Sequence, residues 1–157
     1  MCNNDRPGLG ELLRYIGELV EQGAADRYRA LDIDYRPRYT PVLRAISAGA
    51  ETVTEITATS SLTQGAISQT VTLMLKDELV VRHSLEDGRK NGLKLTKRGA
   101  ELLKRLEPHW ETTFRAIDEL EVEIGSPILS ILSNLAIALE TRGFADRLAD
   151  AEKSRNV

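Results

Sequence analysis

Thr52-Val53-Thr54-Glu55-Ile56-Thr57-Ala58-Thr59, Ser60-Ser61-Leu62 and Thr63-Gln64-Gly65-Ala66-Ile67-Ser68-Gln69 open the stretch, running on to Gly99, that decides the fold. Thr52 followed by Glu55 is a capping pair, which starts a short helix at Val53 and carries it to Thr59. Ser60-Ser61-Leu62 makes a turn. Thr63 caps the next helix, which extends to about Asp77. Ile67, Val71 and Met74 recur at spacings of four and three and form its inner face. Gln64, Gly65, Ser68, Gln69 and Thr72 fall on the opposite side. That face is small, polar and uncharged, which suits close approach to base edges in a major groove. Val80 to His83 then reads as one strand and Gly92 to Leu95 as its partner. Ser84 to Asn91 between them is rich in turn residues and charge. Thr96 caps a new helix. This order predicts a mainly α, α+β winged helix: a helix-turn-helix followed by a wing, with double-stranded DNA as its ligand.

Charge agrees locally and disagrees globally. The chain of 157 residues has a net charge of −3. Residues 1–51 sum to −1, residues 52–106 to +3 and residues 107–157 to −5. Between Arg82 and Arg98, six bases face two acids. Such a local patch steers a protein to phosphate whatever the total. The acidic C-terminal third is expected to face away from DNA.

The length suits one domain, or one domain with an oligomerisation element. Aromatic residues make up 4% of the chain, so the core must be built mainly from Leu, Ile, Val and Ala. Cys2 is the one cysteine and cannot form an internal disulfide, which fits a reducing compartment. No apolar run approaches the roughly 18 residues of a membrane span, and Met1 to Gly8 lacks an apolar signal core. The expectation is a cytoplasmic protein with no membrane partner. His83 and His109 are the only histidines, and no cysteine or carboxylate cluster has metal-ligand spacing, so no metal or other cofactor is expected. A phosphate-cradling glycine loop and a nucleophile elbow are both missing, so no catalytic residue is assigned and no enzyme is expected.

The outer segments are amphipathic. Leu9, Leu12, Leu13, Ile16, Leu19 and Val20 define a helix from about Leu9 to Ala30. Pro37 and Pro41 punctuate a connector, with Thr40 as cap and Pro41 as the first residue of the next helix. Leu102, Leu103, Leu106, Trp110, Phe114, Ile117, Leu120 and Ile124 keep helical spacing in a long helix that Pro108 should bend. Gly125-Ser126-Pro127 ends it, with Ser126 as the cap of a last helix. That helix carries Ile128, Leu129, Ile131, Leu132, Leu135, Ile137 and Leu139. Its apolar arc is wider than one protein face needs, and a second subunit is the natural partner.

The wing run Asp87-Gly88-Arg89-Lys90-Asn91-Gly92-Leu93-Lys94-Leu95-Thr96, with Gly99 after it, resembles the MarR family of winged helix-turn-helix regulators, whose pattern there is Asp-x-Arg, three variable residues, then Leu-x-Leu-Thr. Leu62 to Gln69 is similar to that family's recognition-helix opening, and Leu79 to Arg82 to the segment leading into its wing. The resemblance implies a homodimeric transcriptional regulator, a repressor, on a pseudo-palindromic operator. Residues 1–34 would be an N-terminal dimerisation helix, 35–99 the DNA-binding domain, and 100–157 the connecting helix with a C-terminal dimerisation helix. Leu9, Leu12, Leu13, Ile16 and Leu19 with Ile128, Leu129, Ile131, Leu132, Leu135 and Leu139 would form the interface. Recognition helix 63–77 and wing 84–92 would reach the duplex through Thr63, Gln64, Gly65, Ser68, Gln69, Thr72, Arg82, Arg89, Lys90 and Asn91. Asp87 would orient an arginine of the wing. Many relatives carry Arg where this chain has Gln69; a glutamine pairs with adenine, so half-sites containing A·T pairs are expected. Lys94, Lys97 and Arg98 read as peripheral charge.

Members of that family often bind small phenolic or apolar effectors. Tyr15, Tyr28, Tyr35, Tyr39, His109 and Trp110 are the candidate lining. The alternative for Tyr35 to Tyr39 is a rigid connector packed on the winged domain, which is the preferred reading. The alternative for the whole chain is a winged-helix protein-interaction module or a nonspecific nucleoid-architectural protein.

Overall fold

In the computed structural model, which describes residues 6–86, 88 and 91–155 (residue 91 by its backbone), the apolar spacing of the N-terminal segment becomes α1, Leu9–Ala30. The Gly8 amide donates to the Glu11 carboxylate at 3.3 Å, satisfying one of the N-H groups that a helix start leaves without a partner. Asp32, in the left-handed region at φ 53°, turns the chain out of α1. A connector follows, ending in a 3-10 turn, Pro37–Tyr39, which runs straight into α2, Thr40–Ser47. The sequence reading of Thr40 as a cap is corrected here. Tyr39 is already helical at φ −78° and ψ −17°, so no extended residue is left to serve as one. Thr40 instead donates its hydroxyl to the Pro37 carbonyl at 2.7 Å and meets the Tyr35 hydroxyl.

The next two caps hold as read. Thr52 Oγ1 accepts from the Glu55 amide at 3.2 Å, and the Glu55 carboxylate accepts from the Thr52 amide at 3.1 Å, starting α3, Val53–Ala58. Thr63 Oγ1 accepts from the Ala66 amide at 3.2 Å and starts α4, Gln64–Lys76. Ile56, Ile67, Val71 and Met74 are all at most 1% exposed, and with Val42, Leu43, Leu79, Val80 and Leu93 they form the core. Each such side chain contributes about 1.5–3 kcal/mol through burial.

β1, Val80–Ser84, pairs antiparallel with β2, Asn91–Leu95, with Val80 opposite Leu95 and His83 opposite Gly92. The hairpin is tied to the helices at its base. The Leu93 amide donates to the Glu51 carbonyl at 2.7 Å, ahead of α3. The Thr96 amide donates to the Leu79 carbonyl at 3.1 Å, and the Thr96 hydroxyl to the Glu78 carbonyl at 2.6 Å. The same hydroxyl accepts from the Gly99 amide at 3.0 Å and starts α5, Lys97–Ile124. Gly99 has to be glycine, because a Cβ there would sit 2.0 Å from the Leu79 carbonyl oxygen.

The chain divides into two compact units, 1–105 and 106–157. Residues 1–34 and 35–99 therefore share a unit, and α5 is one helix of 28 residues whose course contributes to both. Pro108 lies inside it without ending it. In the second unit, Gly125 at φ 67° closes α5 and Ile128–Thr141 forms α6. Ser126 does not cap α6, contrary to expectation: Pro127 holds the cap position without a side-chain bond, and the Glu121 carboxylate accepts from the Leu129 amide at 2.9 Å in its place. A seventh helix, α7, Phe144–Arg155, was not foreseen. Arg147 of α7 donates to the Ala138 carbonyl at 2.9 Å and so closes the end of α6. Neither α6 nor α7 has a buried residue. No single helix among the described residues is long and apolar enough to cross a membrane.

Gly99→Ala is expected to destabilise the protein by about 1–3 kcal/mol, because backbone must move to admit the methyl group. Gly65→Ala, whose Cβ would meet only Thr63 Oγ1 at 4.0 Å, is expected to be neutral or stabilising by up to about 1 kcal/mol. Urea denaturation of the two variants beside the wild type measures both; equal effects would contradict the close approach at Leu79.

Candidate nucleic-acid interface

The outer face of α4 is set by what its inner face buries. With Ile67, Val71 and Met74 in the core, helical periodicity turns Gln64, Gly65, Ser68, Gln69 and Thr72 outward, and all five are exposed. No charged side chain lies on α4 before Lys76. The hydroxyls are partly committed. Thr63 serves as the cap, and Thr72 donates to the Ser68 carbonyl at 2.9 Å. Among the described contacts, no hydrogen bond engages the Gln64 or Gln69 amide, so donors and acceptors of the kind that match adenine edges point off the surface.

Positive charge is carried by the elements that follow α4. Arg82 is exposed on β1, Lys94 on β2, and Lys97 and Arg98 on the first turn of α5. Arg98 has a loose surface partner in Asp34 at 3.7 Å. Asn91 opens β2. Asp87, Arg89 and Lys90 lie outside the described residues. Gly92 lets the wing close, because a Cβ there would meet the His83 ring at 2.6 Å.

The candidate effector residues fall in three places. Tyr28 and Tyr39, at 7% and 1% exposure, belong to the core of the first unit with Tyr35. The Tyr28 and Tyr35 rings meet edge to face at 4.8 Å, and those of Tyr35 and Tyr39 at 6.3 Å, an arrangement favoured by ring quadrupoles. Tyr15 is exposed on α1 and borders a cleft with Leu19, Gln22, Tyr35, Arg36 and Arg38. His109 and Trp110 lie in the second unit, where the Trp110 indole nitrogen is buried without a hydrogen-bond partner among the described residues.

Two features escaped the sequence reading. Arg44 shares a cleft with Thr40, Ser60, Ser61 and Leu62, directly ahead of α4. At the other end of α4, the Tyr39 hydroxyl donates to Asp77 Oδ2 at 2.7 Å, and Arg36 Nε lies 3.5 Å from the same oxygen. The Tyr39 phenol is pushed up to about 12, first by burial and then by its bond to the Asp77 carboxylate and that group's charge, with Arg36 and Arg38 opposing. The available signal was Asp77 itself, an anion at a helix C-terminus, where the helix dipole disfavours it.

The likenesses to known proteins are structural. Neither a family model nor a curated protein matches the sequence. Among solved structures, the M. tuberculosis transcriptional regulator MosR in complex with DNA superposes with a TM-score of 0.69 at 20% identity, over 86% of this chain and 98% of that one. The MarR family transcriptional regulator SPO1453 from Silicibacter pomeroyi gives 0.59 at 22% identity, over 83% and 94%. The S. aureus MepR–DNA complex gives 0.60 at 15% identity, over 87% and 99%. The chain has the winged-helix fold of the MarR-type transcriptional regulators.

The Tyr39 phenol carries a pH signature. Unfolded, a tyrosine releases its proton near its ordinary value of 10.0; folded, Tyr39 holds it to about 12. The stability this contributes is complete below pH 10 and is lost as pH rises towards 12. A phenolate absorbance titration should show a delayed tyrosine in the wild type that is lost in Tyr39→Phe, and the stability gap between the two should shrink across that window. A wild type whose tyrosines all ionise in the ordinary range would contradict the buried bond.

Proposed function

We propose that this chain is a MarR-family transcriptional regulator that binds double-stranded DNA sequence-specifically, as a homodimeric repressor. The observation that carries this is the exposed, uncharged stripe of α4 flanked by a basic hairpin, in a fold whose solved examples include regulators held on DNA. Phosphate contacts position a protein on the duplex and base contacts specify sequence. Here the two jobs are divided. Gln64 and Gln69, with Gly65 permitting close approach, read bases. Arg82, with Arg89 and Lys90 of the wing, supplies the phosphate-side charge, and Asn91 adds a neutral contact to the backbone.

The exposed apolar residues support the dimer. Leu12, Leu13, Ile16 and Leu19 on α1 are 39–56% exposed, and Leu129, Ile131 and Leu132 on α6 are 40–51% exposed. A monomer seldom leaves an apolar stripe of this kind to water on either helix. The cleft beside α1, where Tyr15, Leu19 and Tyr35 lie among Glu18, Glu21, Arg36 and Arg38, is the place offered for a small aromatic effector that releases DNA.

Binding-site selection from a random duplex pool, followed by affinity measurement at several salt concentrations, tests the DNA reading. Arg89→Ala is expected to weaken binding to all sequences and to lower the salt dependence. Gln69→Ala is expected to relax one base position by about 1–3 kcal/mol. Unchanged binding in both would overturn the assignment. For assembly, Leu132→Lys or Leu135→Lys should yield monomers or aggregates by light scattering; a well-folded native dimer would remove α6 from the interface.

A further inference from the structure

We propose that Tyr39 is a positioning residue for the DNA-reading helix, acting through Asp77 at its C-terminal end; this rests on the regulator reading above. The two ends of α4 are held differently. Its N-terminal end is fixed within its own turn, by the bond from the Ala66 amide to Thr63. Its C-terminal end is tied across the fold. The Tyr39 hydroxyl, 38 residues away in sequence, donates to Asp77 at 2.7 Å, and the Arg36 guanidinium lies 3.5 Å from the same carboxylate oxygen.

Three facts separate this contact from ordinary packing. An aspartate at a helix C-terminus works against the helix dipole, so Asp77 is poorly placed for the stability of α4 on its own. Tyr39 is 1% exposed, so its hydroxyl has no recourse to water and depends on an internal acceptor. The chain also leaves α4 through Glu78 at φ 57°, so the exit is a fixed left-handed turn rather than a flexible one. The connector therefore grips Asp77, the cap just past the last residue of the helix, from one side, while Thr96 grips the Glu78 carbonyl from another.

Geometry turns this grip into specificity. α4 has 13 residues. That is about 20 Å of helix, so a tilt of about 5° at Asp77 moves the Gln64 end by about 2 Å. Hydrogen bonds to a base edge tolerate only a few tenths of an ångström. Nonspecific attraction to phosphate is insensitive to such a shift.

The test uses the full chain and the duplex that the wild type selects from a random pool. The readout is the ratio of affinity for that duplex to affinity for scrambled DNA, beside thermal stability. Tyr39→Phe combined with Asp77→Ala removes donor and acceptor together, which keeps folding near wild type. It is expected to lose about tenfold in the ratio, as when one glutamine no longer reaches its base. Asp77→Asn keeps an acceptor for the phenol and should keep the ratio, which controls for the lost charge. A double variant that lowers the melting temperature with the ratio intact overturns the positioning role and makes the contact structural only. Loss of the ratio in Asp77→Asn as well also overturns it, in favour of a charge effect. A wild type that enriches no sequence refutes the regulator reading itself, and the positioning role falls with it.

Discussion

The carbonyl of Leu79 is where three elements meet. It accepts from the Thr96 amide at 3.1 Å, so the first residue before the hairpin is bonded to the last residue after it. Its neighbour Glu78 accepts from the Thr96 hydroxyl, and Gly99 leaves room for the first turn of α5 to close on the same spot. The end of α4, the base of the wing and the start of α5 are thereby referred to a single point in the backbone. Remove that junction and the exposed stripe of α4 and the basic strand lose their fixed relation, although each would keep its local structure.

Electrostatics follow from that arrangement rather than from composition. A chain of net charge −3 carries an uncharged exposed face on α4 and, on the strands and the first turn of α5 that follow it, exposed arginine and lysine side chains. No charged side chain lies on α4 before Lys76, so that positive charge belongs to the elements that follow it. The second unit carries no such patch. Residues 107–157 sum to −5, and the exposed residues of α6 are largely apolar.

What the sequence revealed and what it hid divide along the range of the interactions. α1, α3, α4 and the hairpin were legible almost to the residue, because caps such as Thr52–Glu55 and spacings such as Ile67–Val71–Met74 act over one or two turns. Thr40 and Ser126 were misread as caps. In each case the backbone of a neighbour, the 3-10 turn before Thr40 and Pro127 after Ser126, decided which residue could be extended. α7 went unseen because its stop signal is the short Arg142-Gly143 break and its apolar content is low. The exposed polar stripe of α4 was readable from periodicity. The Tyr39–Asp77 bond was not, since 38 residues separate its partners and nothing local pairs them. An acid at a helix end where the dipole disfavours it was the one trace it left in the sequence.

Two glycines set unequal limits on how the hairpin can vary. At Gly99, in the first turn of α5, the obstacle is the Leu79 carbonyl, which is backbone and cannot step aside, so the foot of the hairpin tolerates no added bulk. At Gly92, one pair from the far end of the strands, the obstacles are the ends of the His83 and Leu85 side chains, which can turn away. The far end is therefore free to change in sequence and length while the base and the helices beneath it stay as they are.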